Sequence, residues 1–276
     1  MIFAGIVLSL AIVMRVSFTK IDTGKSTDNI EASSSSSNDM PIVGAEPSFL
    51  SDEDRGIVPL KEQNVVLSPP NDEKPSVTAR AYLVGNVATG RVYFGENISR
   101  TLPVASMSKL VTAITAMDRI ASSSIIEITI EEASTSPDAS NLQPRERFTM
   151  NELLYPLLLD SSNVAAEAIA SSSDRVAFKK AMAGYAWEIG MPSSYFADPS
   201  GIDPQNTASA MDVLGLAKYL FRFHSDILAI TRICSFPVAT TTDHGAHVFK
   251  SIHPFVDDPR FIGGKTGRTS AAKETM

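Results

Sequence analysis

Cysteine is nearly absent: Cys234 is the only one in 276 residues. An internal disulfide and a cysteine-rich metal site are therefore excluded, and packing has to hold the fold together. By its place after a helical segment, Cys234 reads as a small buried residue rather than a nucleophile. Positive charge is not in excess either. The 24 Lys and Arg are outnumbered by 31 Asp and Glu, a net charge of −7, so the chain has no general basic footprint and nucleic acid is not an expected partner. Histidine is scarce, at four residues. His244 and His247 have a spacing seen in metal sites, but they lie on a Gly-containing segment expected to be exposed, with no third ligand nearby. No metal and no cofactor is expected. What is abundant is apolar residues, 43% against 20% charged, the composition of a globular protein with room for one or two domains.

The acidity is localised. Residues 1–20 carry +2, residues 21–75 carry eleven acids and four bases (−7), and the remainder carries twenty acids and eighteen bases (−2), which together return −7. Ile2 to Met14 is an apolar run broken only by Ser9, of a length that suits a signal-peptide core or short anchor better than a full span, which needs ~20 apolar residues. Positive charge follows this run rather than preceding it, the reverse of the usual export order. Residues 19–75, with Ser33 to Ser37, six prolines and scattered acids, read as a flexible tether. The expected organisation is a signal peptide or membrane anchor over 1–18, a linker over 19–75 and a catalytic domain over 76–276. That places the protein outside the cytoplasm, secreted or attached to the cell membrane through its N-terminal segment.

Within the last part, Ala81 to Val87 and Arg91 to Phe94 form a hairpin signal around Thr89-Gly90. A helical section follows from about Met107 to Phe223, and Pro237 to Phe249 and Phe261 to Gly267 return to strand and loop.

Acyl transfer without a metal needs a nucleophile, a base within reach and donors for the oxyanion. Ser106-Met107-Ser108-Lys109 supplies the first two if Ser106 opens a helix after Pro103, because Lys109 then lies one turn on and on the same face. Enclosed by apolar neighbours, the amine is costly to charge and can accept the serine proton. The spacing alone is weak, since Ser17 to Lys20 and Ser270 to Lys273 match it too. Only Ser106 starts a buried helix. A second element, Ser161-Ser162-Asn163, lies between two apolar segments, where a plain helix cap is the simpler account. The third, Gly263-Gly264-Lys265-Thr266-Gly267, is not a phosphate loop: Pro259 stands where the first glycine of that motif is needed. On a strand edge its glycines admit a substrate backbone, with Lys265 and Thr266 offering a positive, hydrogen-bonding site for a carboxylate.

In order, Ser-x-x-Lys, Ser-x-Asn and Lys-Thr-Gly are the motifs of the penicillin-recognising serine acyltransferases. The flanking text narrows this: LPVASMSKLVTAITAMD, NLQPRERFTMNELLYPLLLDSSNVAAEAIA, YFADPSGIDPQNTASAMDVLGLAKYL and FIGGKTGRTSAA. From about Ala79 onward the chain resembles the D-alanyl-D-alanine carboxypeptidase family. The resemblance implies an α/β (α+β) fold like that of β-lactamases and transpeptidases: an antiparallel sheet flanked by helices, with a mostly helical subdomain inserted between its second and third strands. Only nine residues follow Gly267, so that sheet is expected to be incomplete at the C-terminus. It further implies Ser106 as the acylated nucleophile, Lys109 as its base, Ser161 as proton relay, and Asn163 binding substrate and orienting Lys109. Lys265, Thr266 and Gly267 would hold the carboxylate side, and the Ser106 and Arg268 amides would form the oxyanion hole. The expected substrate is a peptidoglycan stem peptide, with β-lactams as inhibitors. A D,D-endopeptidase and an inactive wall-binding module are the alternatives. A class A β-lactamase is disfavoured by the lack of a Glu-x-x-Leu-Asn segment. Asp198-Pro199-Ser200-Gly201 reads as a structural turn near the site.

Overall fold

The computed structural model describes residues 77–134, 138 and 140–276. The apolar N-terminal run and the tether lie outside the described residues. No helix among the described residues is long and apolar enough to cross a membrane.

The chain opens with the expected hairpin, β1 (Tyr82–Gly85) antiparallel to β2 (Val92–Glu96). Its turn closes where Gly90, at φ 75°, donates its N–H to Asn86 O. A two-residue strand β3 (Leu102–Pro103) leads through a 3-10 turn, Ala105–Met107, into α1 (Ser108–Arg119). Every residue of α1 from Ser108 to Ala116 is buried, which makes it the central rod of the domain. Small side chains allow this: Ala113 and Ala116 let neighbouring helices approach, and the hydroxyls of Thr112 and Thr115 bond back to the Ser108 and Val111 carbonyls.

Around this rod stand α2 (Ile130–Ser134), α3 (Met150–Leu158), α4 (Asn163–Ser171) and α5 (Arg175–Glu188), followed by α6 (Ala210–Phe223) and α7 (Ser225–Thr231). Their starts are written in the sequence. Thr149 and Glu152 make a reciprocal capping box on α3, and Ser209 and Asp212 make another on α6. Each side-chain cap contributes about 1 kcal/mol, enough to fix where a short helix begins. Leu153, Leu154, Leu157, Ile169, Phe178 and Met182 pack against α1 in one continuous core.

The remaining strands are β4 (Ile125–Glu127) with β5 (Arg147–Thr149), β3 with β6 (Thr207–Ala208), β7 (Ser235–Val238) with β8 (His247–Lys250), and β9 (Gly267–Thr269) with β10 (Lys273–Thr275). The mixed helix and antiparallel-strand class is as expected. The strands, however, form five two-stranded ladders among the described residues rather than one continuous sheet. β1–β2 and β9–β10 share no strand; Arg80 Nη2 reaches the Ala271 carbonyl at 3.5 Å across the gap between them.

Two expectations about single residues are corrected. His244 and His247 are buried, not exposed: both rings pack on Phe148, and His247 Nε2 lies 2.9 Å from Glu146 Oε1. The carboxylate partner of His247 is 101 residues distant in sequence, so local composition could not show the burial. Cys234 is exposed rather than buried, its Sγ 3.5 Å from Asp257 Oδ1 at the entry to β7.

Candidate active site

Ser106 sits in the middle of the 3-10 turn that feeds α1. The residue before it, Ala105, holds φ at +50°, an uncommon left-handed conformation for a residue with a side chain. Neighbouring groups enforce it. Ser108 Oγ donates to the Ala105 carbonyl at 2.9 Å, and Gly201, itself at φ +85°, passes so close to that carbonyl that a Cβ at 201 would collide with it. The chain is thereby turned sharply just ahead of the candidate nucleophile.

Lys109 is fully buried one turn on, and its amine meets three acceptors: Ser106 Oγ at 2.9 Å, Asn163 Oδ1 at 2.8 Å and the Ser200 carbonyl at 2.6 Å. Burial pushes its pKa down to about 7, against the opposing pull of Asp138, Asp198 and Glu167. At that value the neutral amine is well populated near neutrality. Two of its N–H bonds can then serve Asn163 and Ser200, leaving the lone pair to accept the Ser106 hydroxyl proton.

Each acceptor is itself held. Asn163 is the first residue of α4, whose cap is Ser162 rather than Ser161: Ser162 Oγ accepts from Ala165 N at 3.0 Å. The simple capping account was therefore correct for the middle residue of the triplet only. Ser162 Oγ in turn donates to Asp138 Oδ2 at 2.8 Å, an oxygen that also accepts from Val164 N. Burial works to raise the Asp138 carboxyl, but hydrogen bonds from Ser140, Val164 and Ser162 outweigh it and hold the group below the ordinary carboxylate range. Ser200 is set by Asp198, whose Oδ1 accepts from Ser200 N, Ser200 Oγ and Gly201 N. Asn206 ties this loop to α1, donating to the Asp198 carbonyl and to Ser108 Oγ. Thr112 Oγ1 adds a 2.6 Å bond to the Pro199 carbonyl.

Ser161 is freed from helix duty. It stands at φ +63°, between α3 and α4, and its Oγ accepts from Lys265 Nζ at 2.8 Å. Lys265 also donates to the Thr266 carbonyl, is 3% exposed, and has its pKa lowered well below normal by burial and then by the charge of Lys109. Its amine is thus turned inward onto Ser161, not outward as an open positive site, because the strand entering β9 lies against the end of α3. Thr266 is half-buried and Arg268 exposed. Gly267 passes against the nucleophile: a Cβ there would lie 2.8 Å from Ser106 N and 2.9 Å from Ala105 Cβ. Only glycine lets the start of β9 run beside the Ser106 amide. Of the eight residues singled out in sequence, Ser106, Lys109 and Asn163 are joined by hydrogen bonds, as are Ser161, Lys265 and Thr266; Gly267 lies beside the Ser106 amide, and Arg268 follows it on β9 with its side chain exposed.

Sequence reasoning did not find Asp138 or Asn206, and it offered Ser162 only as part of a capping triplet. Asp138 lies 24 residues before Ser162 with no periodic link to it. Asn206 had one usable signal, a turn-rich stretch after Asp198. Ser200 acts through its carbonyl, which no side-chain motif encodes.

A family profile described as D-alanyl-D-alanine carboxypeptidase matches residues 68–276. Among curated relatives, a D-alanyl-D-alanine carboxypeptidase of Mycobacterium tuberculosis is 27% identical over 206 residues, 73% of this chain and 70% of that protein. A D-alanyl-D-alanine endopeptidase of Haemophilus influenzae is 32% identical over 159 residues, 56% of this chain and 54% of its own length. The chain therefore spans roughly half to two-thirds or slightly more of these relatives. In fold it is similar to the crystal structure of a D-alanyl-D-alanine carboxypeptidase from M. tuberculosis, with a TM-score of 0.68 and 24% identity over 75% of this chain and 80% of that one. The Streptomyces K15 DD-transpeptidase gives 0.66 and 21% over 74% and 85%. With the profile covering the whole described domain and the serine–lysine pair buried at its centre, the chain belongs to the D-alanyl-D-alanine carboxypeptidase family of serine peptidases.

Proposed function

We propose that this protein removes the terminal D-alanine from peptidoglycan stem peptides through an acyl-enzyme on Ser106. The observation that carries this reading is the buried Lys109 amine bonded at once to Ser106 Oγ, Asn163 and the Ser200 carbonyl. In the first step the neutral Lys109 takes the hydroxyl proton as Ser106 Oγ bonds to the carbonyl carbon of the penultimate D-alanine. The Ser106 and Arg268 amides receive the oxyanion. Collapse breaks the peptide bond, and the proton held by Lys109 passes through Ser161 to the departing D-alanine nitrogen. Water then repeats the sequence on the ester, with Lys109 again the base, and frees the shortened peptide. Asn163 orients Lys109, Lys265 fixes the Ser161 hydroxyl, and Lys265 with Thr266 holds the terminal carboxylate side. β-Lactams acylate the same oxygen.

Intact mass spectrometry after penicillin treatment tests the reading. One adduct is expected, abolished by Ser106→Ala and by Lys109→Ala; an adduct on Ser17 or Ser270 would overturn it. A second reading, cleavage of D-alanine cross-links, is favoured by the 32% identity to a relative named as an endopeptidase. Release of D-alanine from dipeptide-terminated muropeptide, against cleavage of cross-linked muropeptide, separates the two.

Residues 1–18 are proposed to direct export, as a signal peptide or as a membrane anchor, with 19–75 as the tether, because the substrate lies outside the cytoplasmic membrane. A reporter fused after residue 75 should fractionate outside the cytoplasm. Its recovery as a soluble cytoplasmic protein would refute the proposal.

A further inference from the structure

Leu159 to Ser162 join α3 to α4 and carry Ser161 into the site, and the end of β8 lies against them. At that end the backbone N–H groups alternate in direction, as an extended strand requires. Ser251 N donates to the Cys234 carbonyl at 2.9 Å, on the side of β7, whereas Lys250 N and Ile252 N point the other way, at the linker. A further strand would meet that pair with two backbone carbonyls. The linker meets Ile252 N with a carbonyl, that of Leu159 at 3.2 Å. It meets Lys250 N with a side chain: Asp160 Oδ1 accepts that N–H at 2.6 Å.

Because a carboxylate takes the place of a backbone carbonyl, the main chain is free to turn away from β8 at this point. Ser161 does so at φ +63°, a left-handed conformation that a residue with a side chain keeps only where its surroundings impose it. After the turn, Ser162 N is tied to the Pro156 carbonyl at 2.9 Å. Before it, the Asp160 bond is the last tie ahead of Ser161, whose Oγ accepts from Lys265 Nζ at 2.8 Å. We propose that Asp160 is a positioning residue, its carboxylate fastening the α3–α4 linker to β8 so that Ser161 presents its hydroxyl to Lys265 and to the reacting groups. The group is half-buried. Burial pushes its carboxyl up to about 6 against the Lys250 N–H bond, with the Asp138 charge adding to the rise and the Lys250 charge opposing it. The carboxylate still prevails at neutral pH, where an apolar side chain would leave the Lys250 N–H without this acceptor.

The inference rests on the acyl-enzyme reading, in which Ser161 relays the proton, so its test has arms on labelling and on structure. Asp160→Ala should slow penicillin acylation of Ser106 roughly tenfold. Asp160→Asn, whose Oδ1 can still accept from Lys250 N, should restore the rate to within about threefold. In a Ser161→Ala background, Asp160→Ala should add almost no further loss, because it acts through that hydroxyl. An unchanged rate in Asp160→Ala, an Asp160→Asn as slow as Asp160→Ala, or the full loss repeated on top of Ser161→Ala would each overturn the proposal. Independently of labelling, a crystal structure of Asp160→Ala should show Ser161 Oγ out of hydrogen-bond reach of Lys265 Nζ; an unmoved Ser161 would overturn the proposal. If that variant does not fold, the wild-type chain decides. The NMR shift of the Lys250 amide proton should follow the titration of Asp160, with its midpoint at about 6. An amide indifferent to pH between about 4 and 8 would overturn the proposal. Absence of label on wild-type Ser106 would instead sink the function, leaving the crystal structure and the amide titration to decide Asp160.

Discussion

Lys109 is the residue on which chemistry and stability meet. Its pKa near 7 comes from burial, so the acylation rate should rise through about pH 7 and level off above it, following the neutral amine. A rate that is flat from pH 5.5 to 8.5 would exclude Lys109 as the base. The same depressed value acts on folding. Between about pH 7 and 10.5 the unfolded chain holds a proton on this lysine that the folded chain has released, so stability rises with pH across that window. Lys109→Met should lower that slope by one proton, about 1.4 kcal/mol per pH unit, measured by urea unfolding at a series of pH values. Gly201 is a second single-residue control point. Gly201→Ala forces a side chain into φ +85° and against the Ala105 carbonyl. The backbone term alone costs about 1–2 kcal/mol. Because the displaced carbonyl precedes Ser106, acylation should fall by more than the lost stability explains. Calorimetry paired with acylation kinetics would show a proportionate loss if the turn were only structural.

At the scale of the element, the N-terminus of α4 carries both a cap and a site residue. Asp138 accepts from Ser162 Oγ and Val164 N, so Asp138→Ala should fray the first turn of α4 and let Asn163 drift from Lys109. A loss of about 1–2 kcal/mol in stability and roughly tenfold in acylation is expected, read by unfolding and by penicillin labelling. Wild-type acylation in that variant would show that Asn163 is held otherwise. Elements were also what the sequence disclosed best. The β1–β2 hairpin and the helical run of α1 just after Ser106 follow from local period and turn chemistry, which act over a few residues. The site was legible as three motifs because those residues carry distinctive side chains. Nothing in a short window could place the Ser200 carbonyl on Lys109, bury His247 against Glu146, or turn Lys265 inward onto Ser161. Those outcomes depend on which distant segments pack together.

For the molecule as a whole, the helical part is one core around α1, while the strands are parcelled into ladders of two. Two-stranded ladders are marginal by themselves and take their stability from what they pack against. β9–β10 is fastened to the helical body by the close passage of Gly267 at Ser106 and by Thr275 Oγ1, which donates to the Val104 carbonyl at 2.9 Å. No third strand joins it among the described residues. Its opening therefore need not wait for the core to unfold. In the resting protein the amides of Gly267 to Thr269 should exchange with solvent deuterium far faster than those of α1, on a local rather than a global free-energy scale. A covalent penicilloyl group on Ser106, gripped by the Arg268 amide, would clamp the ladder shut. Exchange at these three amides should then slow at least tenfold while α1 is unchanged. The inhibitor would thus be felt first as a loss of breathing along β9, and the affinity of any ligand for this site would include the free energy of closing it.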